Sequence, residues 1–159
     1  MRHVISLLVE NKVGVLARIT GLISGRGFNI DSLAVGETEN PDLSRITIIV
    51  KGDDAILEQV RKQLGKVIDV LKVVDFTNED FVERDLMMVK VNCPIGKRGE
   101  IIEIVDIFRG KIVDVGQKDL IIEIAGTEEK LEAMLSLLKP YGIKELVQTG
   151  SIAIARCAK

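Results

Sequence analysis

The residues best suited to holding a ligand run from Asn11 to Leu16, joining a strand-like segment to a helix-like one. The first turn of an α-helix leaves backbone N–H groups without partners, and no Ser, Thr or Asp stands just before Val15 to cap them. Such a terminus favours an anion through its free amides and its dipole, and Gly14 removes the side chain that would block approach. An α-carboxylate fits this description. Asn11 and Asn29 add neutral carboxamides carrying donors and acceptors, able to grip both ends of a zwitterion without net charge. Leu16 and Ile30 could line an apolar socket. The plainer reading makes Asn11 and Gly14 a strand-to-helix turn and Asn29 the opening of a strand after a glycine bend.

Catalytic groups are scarce. The one histidine, His3, heads the first strand, and no nucleophile motif, zinc motif or phosphate loop is present. Gly21, Gly25 and Gly27 neither follow a strand nor open a helix, so they read as helix termination. Asp53 with Asp54, and Glu79, Asp80, Glu83 and Asp85, could approach a divalent cation, but caps and solvated charge explain them more simply. Gly96, Lys97, Arg98 and Gly99 could present amides and cations to a phosphate, without the spacing of a true phosphate loop. Cys93 and Cys157, single and distant, read as buried thiols. No metal and no catalytic residues are expected in this chain.

With 47% hydrophobic and 29% charged residues in 159, the chain should be ordered, either as one medium domain or as two small ones. The formal net charge of −2, with signs interspersed, lacks the basic footprint of nucleic-acid binding. The opening residues form no signal peptide and no stretch is long enough to span a membrane, so a cytoplasmic protein is expected.

Periodicity gives the same order of elements twice. Val4 to Glu10 reads as a strand, Val15 to Ser24 as a helix, and Asn29 to Val35 with Ile46 to Val50 as a hairpin. A helix with the apolar face Leu57, Val60 and Leu64 follows, capped by Asp53 or Asp54, and then a strand from Val67 to Phe76. The polar stretch 77–85 is the expected linker between a first module, residues 1–76, and a second, residues 86–159. The second repeats the pattern with strands at Leu86 to Asn92, Ile112 to Val115 and Leu120 to Ile124, and helices at Lys97 to Phe108 and Thr127 to Leu138. Ile143 to Gln148 and Ser151 to Arg156 form one interrupted strand or two short ones. The doubled βαββαβ order predicts an α+β protein of two ferredoxin-like modules.

That topology sets Asn11 and Asn29 at opposite edges of the first sheet. The second strand is an outer one, however, and outer strands invite pairing. Antiparallel pairing of two copies moves the partner's Asn29 to the Asn11 end, so the pocket is expected to be complete only in a homodimer.

The segment NKVGVLARITGLISGRGFNIDSLAVGETE, Asn11 to Glu39, resembles the ACT domain of the small regulatory subunit of acetohydroxyacid synthase, also called acetolactate synthase. The likeness continues through ERDLMMVKV, IVDV, EIAG and QTGSIAIAR, with Gln148 standing where that family's pattern has an arginine. The resemblance implies a regulatory subunit in branched-chain amino-acid biosynthesis (isoleucine, leucine, valine), which activates a catalytic subunit and confers allosteric feedback inhibition by valine. It implies that valine touches Asn11, Gly14 and Asn29, supported by Val15, Leu16 and Ile30. Thiamine diphosphate, Mg and FAD are then expected in the catalytic partner, and none in this chain. It also implies a C-terminal ferredoxin-like domain. The alternative is a generic ACT-type amino-acid-binding module serving another metabolic enzyme.

Overall fold

A computed structural model describes residues 1–158. These divide by packing into one unit made of residues 1–82 together with the segment from Ser151 onward, and another from Glu83 to Gly150.

In the first unit, β1 (Arg2–Glu10), α1 (Val15–Gly25), β2 (Ile30–Glu37), β3 (Leu43–Lys51), α2 (Asp54–Leu64) and β4 (Val70–Asp75) follow in order. The sheet is antiparallel, ordered β2-β3-β1-β4. Alternation along β1 and β3 sends Ile5, Leu7, Val9, Ile46, Ile48 and Val50 to the helical side. There they bury the spaced residues Val15, Ile19 and Ile23 of α1 and Leu57, Val60 and Leu64 of α2. Asp53 caps α2 by accepting from the Ala55 N–H at 2.9 Å. Gly27, at φ 80°, turns the chain out of α1.

The opposite face of this sheet is sealed by the end of the chain. β9 (Ile152–Ala155) places Ala153 in a buried cluster with Val4, Ile49 and Phe76, with Val74 and Phe81 packed against it. The Ser151 N–H donates to Ser32 Oγ at 2.9 Å, and the Arg156 N–H donates to the Asp80 carbonyl at 3.0 Å. His3 is 1% exposed. Its ring nitrogens lie 3.3 Å from Thr77 Oγ1 and 3.2 Å from the Gly52 carbonyl, so it ties strand ends together and faces no cleft.

The second unit contains most of β5 (Phe81–Asn92), then α3 (Arg98–Ile107), β6 (Lys111–Val115), β7 (Asp119–Gly126), α4 (Glu128–Leu138) and β8 (Ile143–Gln148). The path is β6-β7-β5-β8, again antiparallel. Met87, Val89, Val91, Cys93, Leu120, Ile122 and Ile124 face Ile101 and Val105 of α3 and Leu131, Met134 and Leu138 of α4. Thr127 caps α4.

Both modules have the expected βαββαβ order, and three local differences stand out. The stretch 77–85 is a short 3-10 turn at Phe76–Asn78 followed by the head of β5, because Phe76 and Phe81 stack with ring centroids 4.9 Å apart. Residues 151–158, expected in the second module, pack with the first, and the stretch expected as one interrupted strand or two short ones is two, β8 and β9, separated at Gly150 (φ 94°). Cys93 is buried as expected; Cys157 is exposed, because it lies beyond the last residue of β9.

Candidate functional site

The end of β1 hands over to α1 through a tight turn. The Lys12 N–H donates to the Glu10 carbonyl at 3.0 Å and the Asn11 N–H to the Asp42 carbonyl at 2.8 Å. Gly14 then sits at φ 85°, the left-handed region that costs other residues about 1–2 kcal/mol, and it supplies no side-chain cap. The Val15 N–H is spent on the Lys12 carbonyl at 3.4 Å and the Arg18 N–H on the Gly14 carbonyl at 3.0 Å. Among the described residues, nothing accepts from the amides of Leu16 and Ala17. The turn is held from behind by the Arg18–Asp69 ion pair and by the Glu10 N–H bonded to the Asp69 carbonyl at 2.8 Å.

Asn11 is exposed beside this mouth. Its Nδ2 donates to the Pro41 carbonyl at 2.9 Å and more weakly to Glu37 Oε2 at 3.4 Å. Its Oδ1 keeps no protein partner and remains free to accept. Lys12 leans away onto Glu10, 2.8 Å between Nζ and Oε2, and the Glu10 hydrogen bond raises its pKa. Leu16 is 39% exposed at the rim, while the Val15 side chain is buried in the core, so Val15 can serve this mouth only through its backbone.

Asn29 and Ile30 lie elsewhere. Ile30 pairs with Val50, which pairs with His3, whereas Glu37 pairs with Ser44, which pairs with Val9. Seven residue steps of strand, about 23 Å, therefore separate the head of β2 from the Asn11 end. Asn29 is exposed, donating to Asp31 Oδ1 at 3.3 Å, and Ile30 packs partly against its own core. One chain brings together Asn11, Gly14, Val15 and Leu16, and leaves Asn29 and Ile30 at the far end. Leu16 and Ile30 of one chain do not share a socket.

Sequence reasoning missed three participants: Glu37, the Pro41 carbonyl and the Ala17 amide. Only the amide had a signal, since a helix lacking a cap leaves several first-turn N–H groups open. Glu37 and Pro41 reach Asn11 through the β2–β3 loop, whose path no local pattern encodes. The carboxylates weighed for cation binding are dispersed: Asp53 caps α2 and Asp54 lies 3.3 Å from His3 Nε2. No group of three or more His, Cys, Asp or Glu gathers to hold a metal among the described residues, and none of their helices is long and apolar enough to cross a membrane.

A βαββαβ unit with an outer second strand and an open strand-to-helix mouth is an ACT-type module, here accompanied by a second ferredoxin-like module. Residues 5–72 match the family described as AHAS small subunit-like ACT domain, and residues 84–157 match the small subunit of acetolactate synthase. The chain is 54% identical to a probable acetolactate synthase small subunit of Archaeoglobus fulgidus, over 98% of both chains. It is 52% identical to the acetolactate synthase small subunit of Mycolicibacterium smegmatis, over 97% of this chain and 91% of that one. The crystal structure of the acetolactate synthase small subunit from Thermotoga maritima superposes with a TM-score of 0.91 at 43% identity, covering 100% of this chain and 99% of that chain. The chain belongs to the acetolactate synthase small-subunit family.

Proposed function

We propose that this protein is a non-catalytic regulatory subunit that activates an acetolactate synthase catalytic chain and lets valine inhibit it. The observation that carries the reading is the mouth of α1, where unclaimed amides of Leu16 and Ala17 meet a side-chain-free Gly14 and a half-used Asn11 carboxamide. Two N–H groups at a helix start suit the carboxylate of an amino acid. Asn11 Oδ1 and the neighbouring Glu37 carboxylate suit its ammonium, and Leu16 offers apolar surface to an aliphatic side chain.

The second half of the pocket comes from a second copy. β2 has a strand neighbour on one side only. Antiparallel pairing of β2 with its twofold mate carries the partner's Asn29 and the partner's Ile30 to the Asn11 end. Valine then bridges two chains and favours the dimer geometry in which the catalytic chain is less active. Differential affinity between two forms is what such a shift requires, and a coupling of about 1–3 kcal/mol is typical of it. Thiamine diphosphate, Mg and FAD belong in this reading to the catalytic chain.

Calorimetric titration of valine into the full chain, repeated with Asn29→Ala, tests the reading, together with assays of the reconstituted synthase. Wild-type protein should bind valine with one site per shared pocket, and Asn29→Ala should weaken both binding and inhibition while activation persists. Equal loss of activation and inhibition, or unaltered valine binding in the variant, sinks it. Failure of the chain to co-purify with the synthase catalytic chain points instead to an amino-acid-binding module of another enzyme.

A further inference from the structure

The second module holds a cavity of about 770 Å³ at its own strand-to-helix junction, lined by Asn92, Pro94, Ile95, Arg98, Gln117 and Lys118. We propose that this cavity binds a small organic anion, its oxyanion between Arg98 and Lys118 and its apolar body against Pro94 and Ile95. The volume is in the range of small-molecule sites, about 300–1,000 Å³.

Arg98 is the fixed element. Its Nη2 donates to the carbonyls of Gly116, at 2.7 Å, and Gln117, at 3.3 Å, which locks the guanidinium plane against the β6–β7 turn. Its Nε is buried without a hydrogen-bond partner. That Nε offers no surface to a ligand; Nη1, which is neither buried nor hydrogen-bonded among the described residues, is the donor left for a ligand oxygen. Guanidinium geometry suits carboxylate and phosphate oxygens in particular.

Charge at the cavity is uncompensated. Lys118 has no acidic partner among the described residues. Two carboxylates close in sequence to the lining are engaged elsewhere: Asp119 accepts from Lys144 Nζ at 3.1 Å, and Glu100 accepts from Lys97 Nζ at 3.1 Å and from the Tyr141 hydroxyl at 2.7 Å. The half-buried Asn92 carboxamide is likewise without a partner and can orient the ligand. Pro94 and Ile95, the latter 83% exposed, put apolar surface at the rim.

The helix terminus contributes little, because the 3-10 turn Ile95–Lys97 runs directly into α3. The case rests on the residues that the end of β5, the head of α3 and the β6–β7 turn bring to one cavity. With two cations and no free carboxylate in the lining, the cavity should refuse an ammonium group. Its ligand therefore differs from the zwitterion proposed for the first module, and the inference stands independently of that proposal.

Isotope-labelled full chain titrated separately with isovalerate, inorganic phosphate and valine tests it by amide chemical shifts. Saturable shifts at Gly116, Gln117 and Lys118 are expected with at least one of the two anions, and none at those residues with valine. Response to isovalerate alone assigns a carboxylate ligand, and response to phosphate alone a phosphoryl one. Lys118→Gln should weaken binding by about tenfold, the scale of one charge-assisted hydrogen bond, and Lys118→Arg should retain it. Absence of saturable shifts with both anions, equal affinity in Lys118→Gln, or equal response to valine overturns the proposal.

Discussion

The two strand-to-helix junctions occupy the same place in the same topology and leave different groups unsatisfied. Before α1, a glycine at φ 85° breaks the chain direction, and backbone amides of Leu16 and Ala17 remain open beside a carboxamide. Before α3, a 3-10 turn continues into the helix, while Arg98 and Lys118 line a cavity. Neutral donors with one flanking carboxylate suit a zwitterion; paired cations suit an anion. A repeated fold therefore says where a ligand can sit, and the residues at the junction say which ligand.

The largest effect that could break this contrast is on inhibition. Asn11→Ala should raise the half-inhibitory valine concentration of the reconstituted synthase by about tenfold or more, the scale of one lost hydrogen bond to a charged group. Gly99→Ala, in the second junction, should leave that concentration unchanged. Equal effects of the two substitutions would erase the functional distinction between the junctions.

A smaller effect should appear in urea unfolding. Gly14→Ala forces a side chain into left-handed backbone and should cost about 1–2 kcal/mol, although no atom lies within 4 Å of the added Cβ. Gly99→Ala adds its Cβ to open space inside a right-handed helix and should stabilise by about 0.5–1 kcal/mol. Opposite signs are the expected outcome, and like signs would mean that the junctions share a backbone requirement.

The smallest effect is a titration. The Tyr141 hydroxyl, bonded to Glu100, has a raised pKa, and Glu100 is lowered first by that bond and then by Lys97. For Glu100 the folded value is the depressed one, so its stabilising contribution is complete above the ordinary carboxylate range and is lost as pH falls through the folded value. For Tyr141 the contribution is complete below the ordinary phenol range and is lost as pH rises through its folded value. Ultraviolet titration of this single tyrosine should give a midpoint above that of a free phenol, and Glu100→Gln should move it down. An unmoved midpoint would detach Tyr141 from the α3 start.

Most of the fold was readable because its signals are local. Ile19 and Ile23 recur at helical spacing, Leu57, Val60 and Leu64 do the same, and glycines mark where helices stop. The mouth of α1 was readable for the same reason, since an absent cap is visible in five residues. What escaped depends on chain segments meeting from far apart. The polar composition of 77–85 hid the head of β5, because strand identity there comes from pairing and from the Phe76–Phe81 stack. Glu37 beside Asn11 follows from sheet register. The partner of the outer face, Ala153, lies about 150 residues from Val4, a separation at which periodicity carries no information.

That closure has a consequence for biogenesis. A ribosome delivers Val4, Ile49 and Phe76 well before Ala153, so this apolar patch of the first sheet must wait uncovered by β9 while the whole second module is made. Release of a chain stopped before Ser151 should yield a sticky, aggregation-prone product even though every helix and sheet strand of the ACT module has been synthesised.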